Sequence, residues 1–143
     1  MIYIIEGITG AGKTTFANSL KGYEIRKTNL STFEEIKNTL SEIEGNVVFD
    51  RLFGISWIDR SEKEILELNE YLKTVPNLIC LKFMVDKNTS LERYSKKKEV
   101  NSKREIHKQE KAIFKKVVDR QYEGFTKLFK LMDVFKERKE QPK

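Results

Sequence analysis

The chain carries one cysteine and one histidine in 143 residues, and each scarcity excludes a class of protein. A single thiol, Cys80, rules out a disulfide framework within the chain and suits a reducing compartment. It lies in an apolar run, the setting of a packed thiol rather than a reactive one. No cluster has zinc-ligand spacing. The lone His107 stands among charges, as a solvated surface residue does. No apolar run reaches transmembrane length, and the first residues lack a signal-peptide pattern. The expectation is therefore a cytoplasmic protein with no membrane partner. No internal repeat and no linker-like stretch divides the sequence, so one domain over 1–143 is expected, with enough chain for one core.

What is present is charge. Hydrophobic residues make up 38% and charged residues 35%, with a net charge of +6. The charge is unevenly spread. Lys96 to Lys143 holds 16 basic and 8 acidic residues, whereas Met1 to Ser95 holds 12 and 14. A basic half attracts nucleotide phosphates or nucleic acid. A solvated, lysine-rich helical face is the plain alternative.

The N-terminal stretch carries the chemistry. A β-branched and aromatic run, Ile2-Tyr3-Ile4-Ile5, is followed by Glu6 and then Gly7-Ile8-Thr9-Gly10-Ala11-Gly12-Lys13-Thr14. This fits the phosphate-binding pattern G-x-x-x-x-G-K-[ST] at every fixed position, between a strand and a helix-capable run, Thr14–Leu20. Glycines let successive backbone N–H groups turn inward around anionic oxygens. The following helix aims its positive end at the same place. Lys13 adds a charge for the β- and γ-phosphates of ATP, and the Thr14 hydroxyl is a ligand for Mg²⁺. The nucleotide cradle is Gly7, Thr9, Gly10, Ala11, Gly12, Lys13, Thr14 and Thr15.

Farther along, Val47-Val48-Phe49-Asp50-Arg51 is a continuous apolar run ending in an acid. Continuous apolarity suits a strand covered on both faces, as in a parallel sheet. Asp50 then emerges at the carboxyl edge, where ligands bind in open α/β sheets. A carboxylate there holds Mg²⁺ or orients a nucleophile.

Other elements follow from periodicity. Tyr23–Arg26 is short enough for a strand. Four S/T-x-x-E boxes, Ser31–Glu34, Ser61–Glu64, Thr89–Glu92 and Ser102–Glu105, each open a helix. Leu78–Val85 reads as a buried strand, closed by Asp86. Ser95–Arg104 reads as a polar, basic break, and the longest helical pattern follows it. Gly124 is a point of weakness in that helix. Met132–Phe135 fits either a short strand or another helical turn, and Glu137–Lys143 reads as a frayed tail. Strand and helix alternate throughout, as in an α/β fold with a mostly parallel sheet of four or five strands and helices on both faces.

With these residues in place, the chain resembles the thymidylate kinase-like group of P-loop kinases, especially the short forms encoded by bacteriophages. Ile5-Glu6-Gly7 through Thr15 is similar to the group's opening, E-G-x-x-G-A-G-K-T-T. Val47–Arg51 resembles its hydrophobic D-R motif. Ser90-Leu91-Glu92-Arg93 resembles the S/A-L-E-R segment after the fourth strand. Phe114–Val117, with Tyr122, resembles the helix after the lid. The resemblance implies a P-loop NTPase fold, a three-layer α/β/α sandwich. It implies Mg²⁺-dependent transfer from ATP to a small nucleotide, most simply a deoxynucleoside monophosphate. Catalytic residues would be Lys13, Asp50 and Arg51, with Thr14 and Asp50 organising the metal. Arg51 would grip the acceptor, and Phe53 and Trp57 would wall its base. A lid at about 93–105 would offer Arg93, Lys97, Lys98, Lys103 and Arg104. Related kinases often dimerise through helices, which implies a homodimer. The chain departs from full-length members in lacking their R-E-P stretch, near which Arg26 is the candidate cation. The acceptor therefore stays open, and alternatives are a kinase of nucleic-acid 5′ ends or a nucleotide-binding interaction module without turnover.

Overall fold

The apolar run Ile2–Gly7 forms strand β1, and everything else is laid around it in a computed structural model that describes residues 1–137. In chain order there follow α1 (Lys13–Ser19), β2 (Glu24–Arg26), α2 (Phe33–Ser41), β3 (Val47–Asp50) and a 3-10 turn (Gly54–Trp57). Then come α3 (Glu62–Thr74), β4 (Leu78–Phe83), α4 (Lys87–Ser102), α5 (Lys108–Leu131) and β5 (Phe135–Glu137). The five strands lie in the order β2-β3-β1-β4-β5. Every pairing is parallel, so the expected mostly parallel sheet is wholly so. Central β1 pairs Ile2–Ile5 with Val47–Asp50 on one side and Ile2–Gly7 with Leu78–Phe83 on the other.

Side chains alternate across strands, which divides the core in two. Ile2, Ile4, Val47, Phe49 and Cys80 join the larger cluster with Ile36 and Leu40 of α2, Ile65, Leu68 and Leu72 of α3, and Phe125, Leu128 and Phe129 of α5. Ile5, Val48 and Phe83 join the smaller one with Ala17 and Phe16 of α1. Helices thus cover both faces, an α/β arrangement compatible with three layers. Cys80 is buried as expected, and burial pushes its thiol up to about 12.

Helix starts show which capping signal won. Ser61 caps α3 as expected: its hydroxyl accepts the Glu64 N–H at 3.2 Å and donates to the Glu64 carboxylate at 3.0 Å. The box at Ser31–Glu34 forms one residue later, on Thr32 and Glu35 (3.1 and 2.8 Å), because the run Ser-Thr-Phe-Glu-Glu holds two overlapping boxes. Asp86 pre-empts the Thr89–Glu92 box, accepting the Thr89 N–H at 2.9 Å, so α4 opens at Lys87. Ser102 does not open α5. It ends α4, with its hydroxyl donating to the Lys98 carbonyl at 2.7 Å, and His107 takes the cap position. The expected break at Ser95–Arg104 is therefore helical through Ser102.

Gly124 does not interrupt α5. A Cβ there would fall 2.6 Å from Ile58 Cδ1, so the missing side chain lets the helix sit close against the segment after the 3-10 turn. Met132 ends α5, and Phe135–Glu137 pairs with Cys80–Lys82 as the fifth strand. Of the expected tail, Glu137 belongs to β5 and residues 138–143 lie outside the described residues. Among the described residues no helix is long and apolar enough to cross a membrane.

Candidate active site

Because β1 and β3 are parallel neighbours, their carboxyl ends bring Gly7 and Asp50 to the same sheet edge. Gly7 has φ +148°, and a Cβ there would lie 1.8 Å from the Phe83 carbonyl oxygen of β4. Only glycine fits so close to a neighbouring backbone. Gly12, at φ 92°, turns the chain into α1. The loop between them wraps the Lys13 ammonium, whose Nζ donates to the carbonyls of Gly7 (3.0 Å) and Ile8 (2.7 Å). Burial of that ammonium lowers its pKa to about 8, against the pull of the Glu6 and Asp50 carboxylates.

Thr14 and Asp50 meet directly. The Thr14 hydroxyl donates to Asp50 Oδ2 at 2.7 Å. Val48 faces the α1 side of the sheet, and period-two alternation puts Asp50 there as well. Asp50 is only 4% exposed. Lys27 Nζ lies 3.6 Å from the same oxygen. Arg26, noted from the sequence as the cation near the missing R-E-P stretch, pairs with Glu24 at 3.0 Å. Lys27 follows β2, and a strand that pairs with β3 delivers its next residue beside the end of β3.

Arg51 sits at φ 83°, a left-handed backbone uncommon for a side-chain-bearing residue. It is held there from both sides. Its N–H donates to the Ile5 carbonyl at 3.0 Å, and its carbonyl accepts the Thr28 N–H at 3.0 Å. Its stem lies over Gly54, where an added Cβ would meet Arg51 Cδ at 2.7 Å. The side chain is exposed, and among the described residues no carboxylate lies within 4.0 Å of its guanidinium.

Glu6 is the principal residue that sequence reasoning passed over, having used it only as part of a motif. It is fully buried. Its Oε2 accepts the N–H groups of Leu52 and Phe53, both at 2.9 Å, and Oε1 accepts that of Gly54 at 3.2 Å. One carboxylate thus fixes the segment after Arg51. Burial pushes its pKa up to about 7, opposed by those three donors and by Lys13. The available signal was a lone acid inside an apolar strand, since such a group is buried only where donors surround it.

That same anchoring turns Phe53 inward. Phe53 and Trp57 are buried, 0% and 1% exposed, with ring centroids 6.2 Å apart. Phe53 also meets Phe135 edge-on at 6.1 Å. Both belong to the core, which corrects their placement as a wall for an acceptor base: neither ring has an open face.

The residues expected to form a lid divide. Arg93 donates to the Gly10 carbonyl, and beside it the buried Ser90 hydroxyl donates to the Thr9 carbonyl at 2.7 Å. The Thr9 N–H donates to Gln121 Oε1 of α5 at 2.9 Å, so both helices pin the loop. Lys97 is close enough for its charge to help depress the Lys13 pKa. The rest turn elsewhere. Lys98 lies over the Tyr94 ring at 5.4 Å, Lys103 ends α4, and Arg104 makes a two-pronged pair with Glu110 at 2.7 and 2.8 Å.

Among the described residues no group of three or more His, Cys, Asp or Glu could cage a metal. Thr14 and Asp50 offer two hard oxygens, a set suited to Mg²⁺ that completes its shell with phosphate and water. The site thus combines a glycine loop, a seated ammonium, a hydroxyl–carboxylate pair and an exposed arginine on one sheet edge. No protein-family model matches the chain, and no curated protein matches it in sequence.

Proposed function

We propose that this protein is a phosphotransferase that moves the terminal phosphoryl group of ATP to a small nucleotide, most simply a deoxynucleoside monophosphate. The observation that carries the reading is the Thr14–Asp50 contact of 2.7 Å beside the seated Lys13. It joins the two separate sequence motifs into one site.

Each residue has a part. Gly10, Ala11 and Gly12 cradle the donor phosphates, with Thr15 behind them at the start of α1. Lys13 remains protonated at neutral pH, and in a half-buried site its charge on the terminal phosphates is screened less than in water. Thr14 and Asp50 would hold Mg²⁺, which neutralises charge developing between the phosphates. Arg51 reaches the acceptor, and Glu6 fixes the backbone that aims it. Lys27 sets a second positive charge beside Asp50. Arg93 and Lys97 close the loop from the α4 side and exclude water that would compete with the acceptor.

The test is an acceptor screen with ATP and Mg²⁺, following products by chromatography. Its panel holds deoxynucleoside monophosphates, deoxynucleosides and a 5′-hydroxyl oligonucleotide, with Lys13→Ala as control. Transfer to one monophosphate, reduced in the control on the order of 10²–10³-fold, is the expected result. Arg51→Ala should lower transfer far more than ATP binding, and equal loss of both would remove its acceptor role. ATP binding with no transfer to any acceptor would overturn the reading.

A further inference from the structure

Apart from Lys97, the outer half of the α4–α5 hairpin takes no part in the proposed reaction, yet it carries the molecule's charge. Ser95–Val117 holds nine basic and three acidic residues, a balance of +6 that equals the net charge of the whole chain. All nine cations are exposed. Arg104 is held by Glu110. Among the described residues, none of the eight lysines has a carboxylate within 4.0 Å. Elsewhere Arg26, Lys37, Arg60, Lys73, Lys87 and Arg120 all have such partners. Unpaired like charges crowded on one hairpin repel one another, and an external polyanion relieves that repulsion.

The spacing fits a repeating anion. Lys108, Lys111 and Lys115 recur at three and four, so they share one face of α5. They span roughly 10 Å at about 1.5 Å per residue, or about three phosphates along one strand. Lys96, Lys97, Lys98 and Lys103 lie along α4 and its end. The hairpin's root is tied to the phosphate loop through Arg93–Gly10, Ser90–Thr9 and Gln121–Thr9. A bilayer is a poor match. The large apolar side chains exposed here are Val100 and Ile113, while Tyr94 and Phe114 pack edge-on against each other at 5.0 Å. A surface-lying helix needs a continuous apolar face.

We infer that the outer α4–α5 hairpin binds the phosphodiester backbone of a nucleic acid through charge alone, without reading sequence. This does not depend on phosphoryl transfer.

The experiment is fluorescence anisotropy of the full-length chain with a fluorescein-labelled single-stranded oligodeoxynucleotide, titrated at 50 and 200 mM KCl. Each phosphate contact contributes about −0.7 to the slope of log affinity against log salt, so five contacts weaken binding roughly a hundredfold across that range. The variant K108E/K111E/K115E should reduce the slope by about 2 units and weaken binding at 50 mM more than tenfold. Its ATP affinity should stay within twofold, and circular dichroism checks its helix content. The neutral variant K108Q/K111Q/K115Q should give a smaller loss of the same kind. Lys13→Ala should bind the oligonucleotide like the parent, which separates this result from failure of phosphoryl transfer. Single-stranded RNA and duplex DNA run in parallel, and the tightest of the three names the strand. Binding that ignores salt, or a triple variant that binds as the parent does, overturns the inference. So does equal, variant-sensitive binding to an oligoglutamate peptide or to phosphatidylserine vesicles.

Discussion

The carboxyl edge of the sheet and the α4–α5 hairpin both handle charge, and they do it in opposite ways. At the sheet edge the charges are few and, the exposed Arg51 apart, enclosed and fixed by named bonds: Glu6 by three backbone donors, Lys13 by two carbonyls, Asp50 by Thr14 and Lys27. On the hairpin they are many, exposed and mostly without ionic partners. Enclosure makes a charge sensitive to pH and costly to disturb. Exposure makes it replaceable and sensitive to salt. The two regions should therefore respond to different perturbations.

The largest break should come from the backbone beneath the enclosed charges. Gly7→Ala forces a Cβ into the Phe83 carbonyl and should cost about 3 kcal/mol or more of stability by denaturant unfolding. Next is pH. Glu6 holds a proton in the folded state up to about 7, whereas an unfolded glutamate releases it near 4.5. Between those values the folded state binds more protons, so stability should fall as pH rises, by roughly 3 kcal/mol in all. Lys13 runs the other way. Its folded pKa of about 8 lies below 10.5, so stability should rise with pH between them. Unfolding curves from pH 4 to 10 measure both limbs. Glu6→Gln should flatten the first and leave the second. An unchanged acid limb would show that Glu6 is not its source.

Ser90→Ala probes the join between the two regions. It removes the only side-chain donor found on the Thr9 carbonyl among the described residues and should cost about 1–2 kcal/mol, with weaker ATP binding by calorimetry. The smallest effect belongs to the hairpin. Lys115→Ala alone should change stability by less than about 0.5 kcal/mol, as surface substitutions do. A larger loss would mean that its charge has a structural partner after all.

The strands and the glycine loop after β1 were legible because their signals are local: a buried run, a glycine spacing, an acid at a strand end. The parallel sheet followed from alternation of elements. Helix starts were legible only where one capping residue stood alone, as at Ser61. Where candidates overlapped, as at Thr32, or where an earlier acid stood one turn upstream, as at Asp86, neighbouring sequence could not choose. Phe53 and Trp57 were misplaced because their burial depends on Glu6, 47 residues before Phe53 in the chain. Lys27 and Gln121 reach the site only through strand pairing and helix packing, which no spacing rule reports. Gly124 looked like a break because its reason, contact with Ile58, lies on another element.

The central position of β1 has a consequence for how the protein is made. This strand finds its flanking partners only later in the chain, in residues 47–50 and 78–83. Such distant pairings close late and slowly. Until then an apolar strand waits uncovered, a state prone to association during synthesis. The loop cannot take its shape before Phe83 arrives against Gly7, nor be pinned before Ser90 and Gln121 are in place. The loop thus reaches its final shape only after residues as far along as Gln121 have been made.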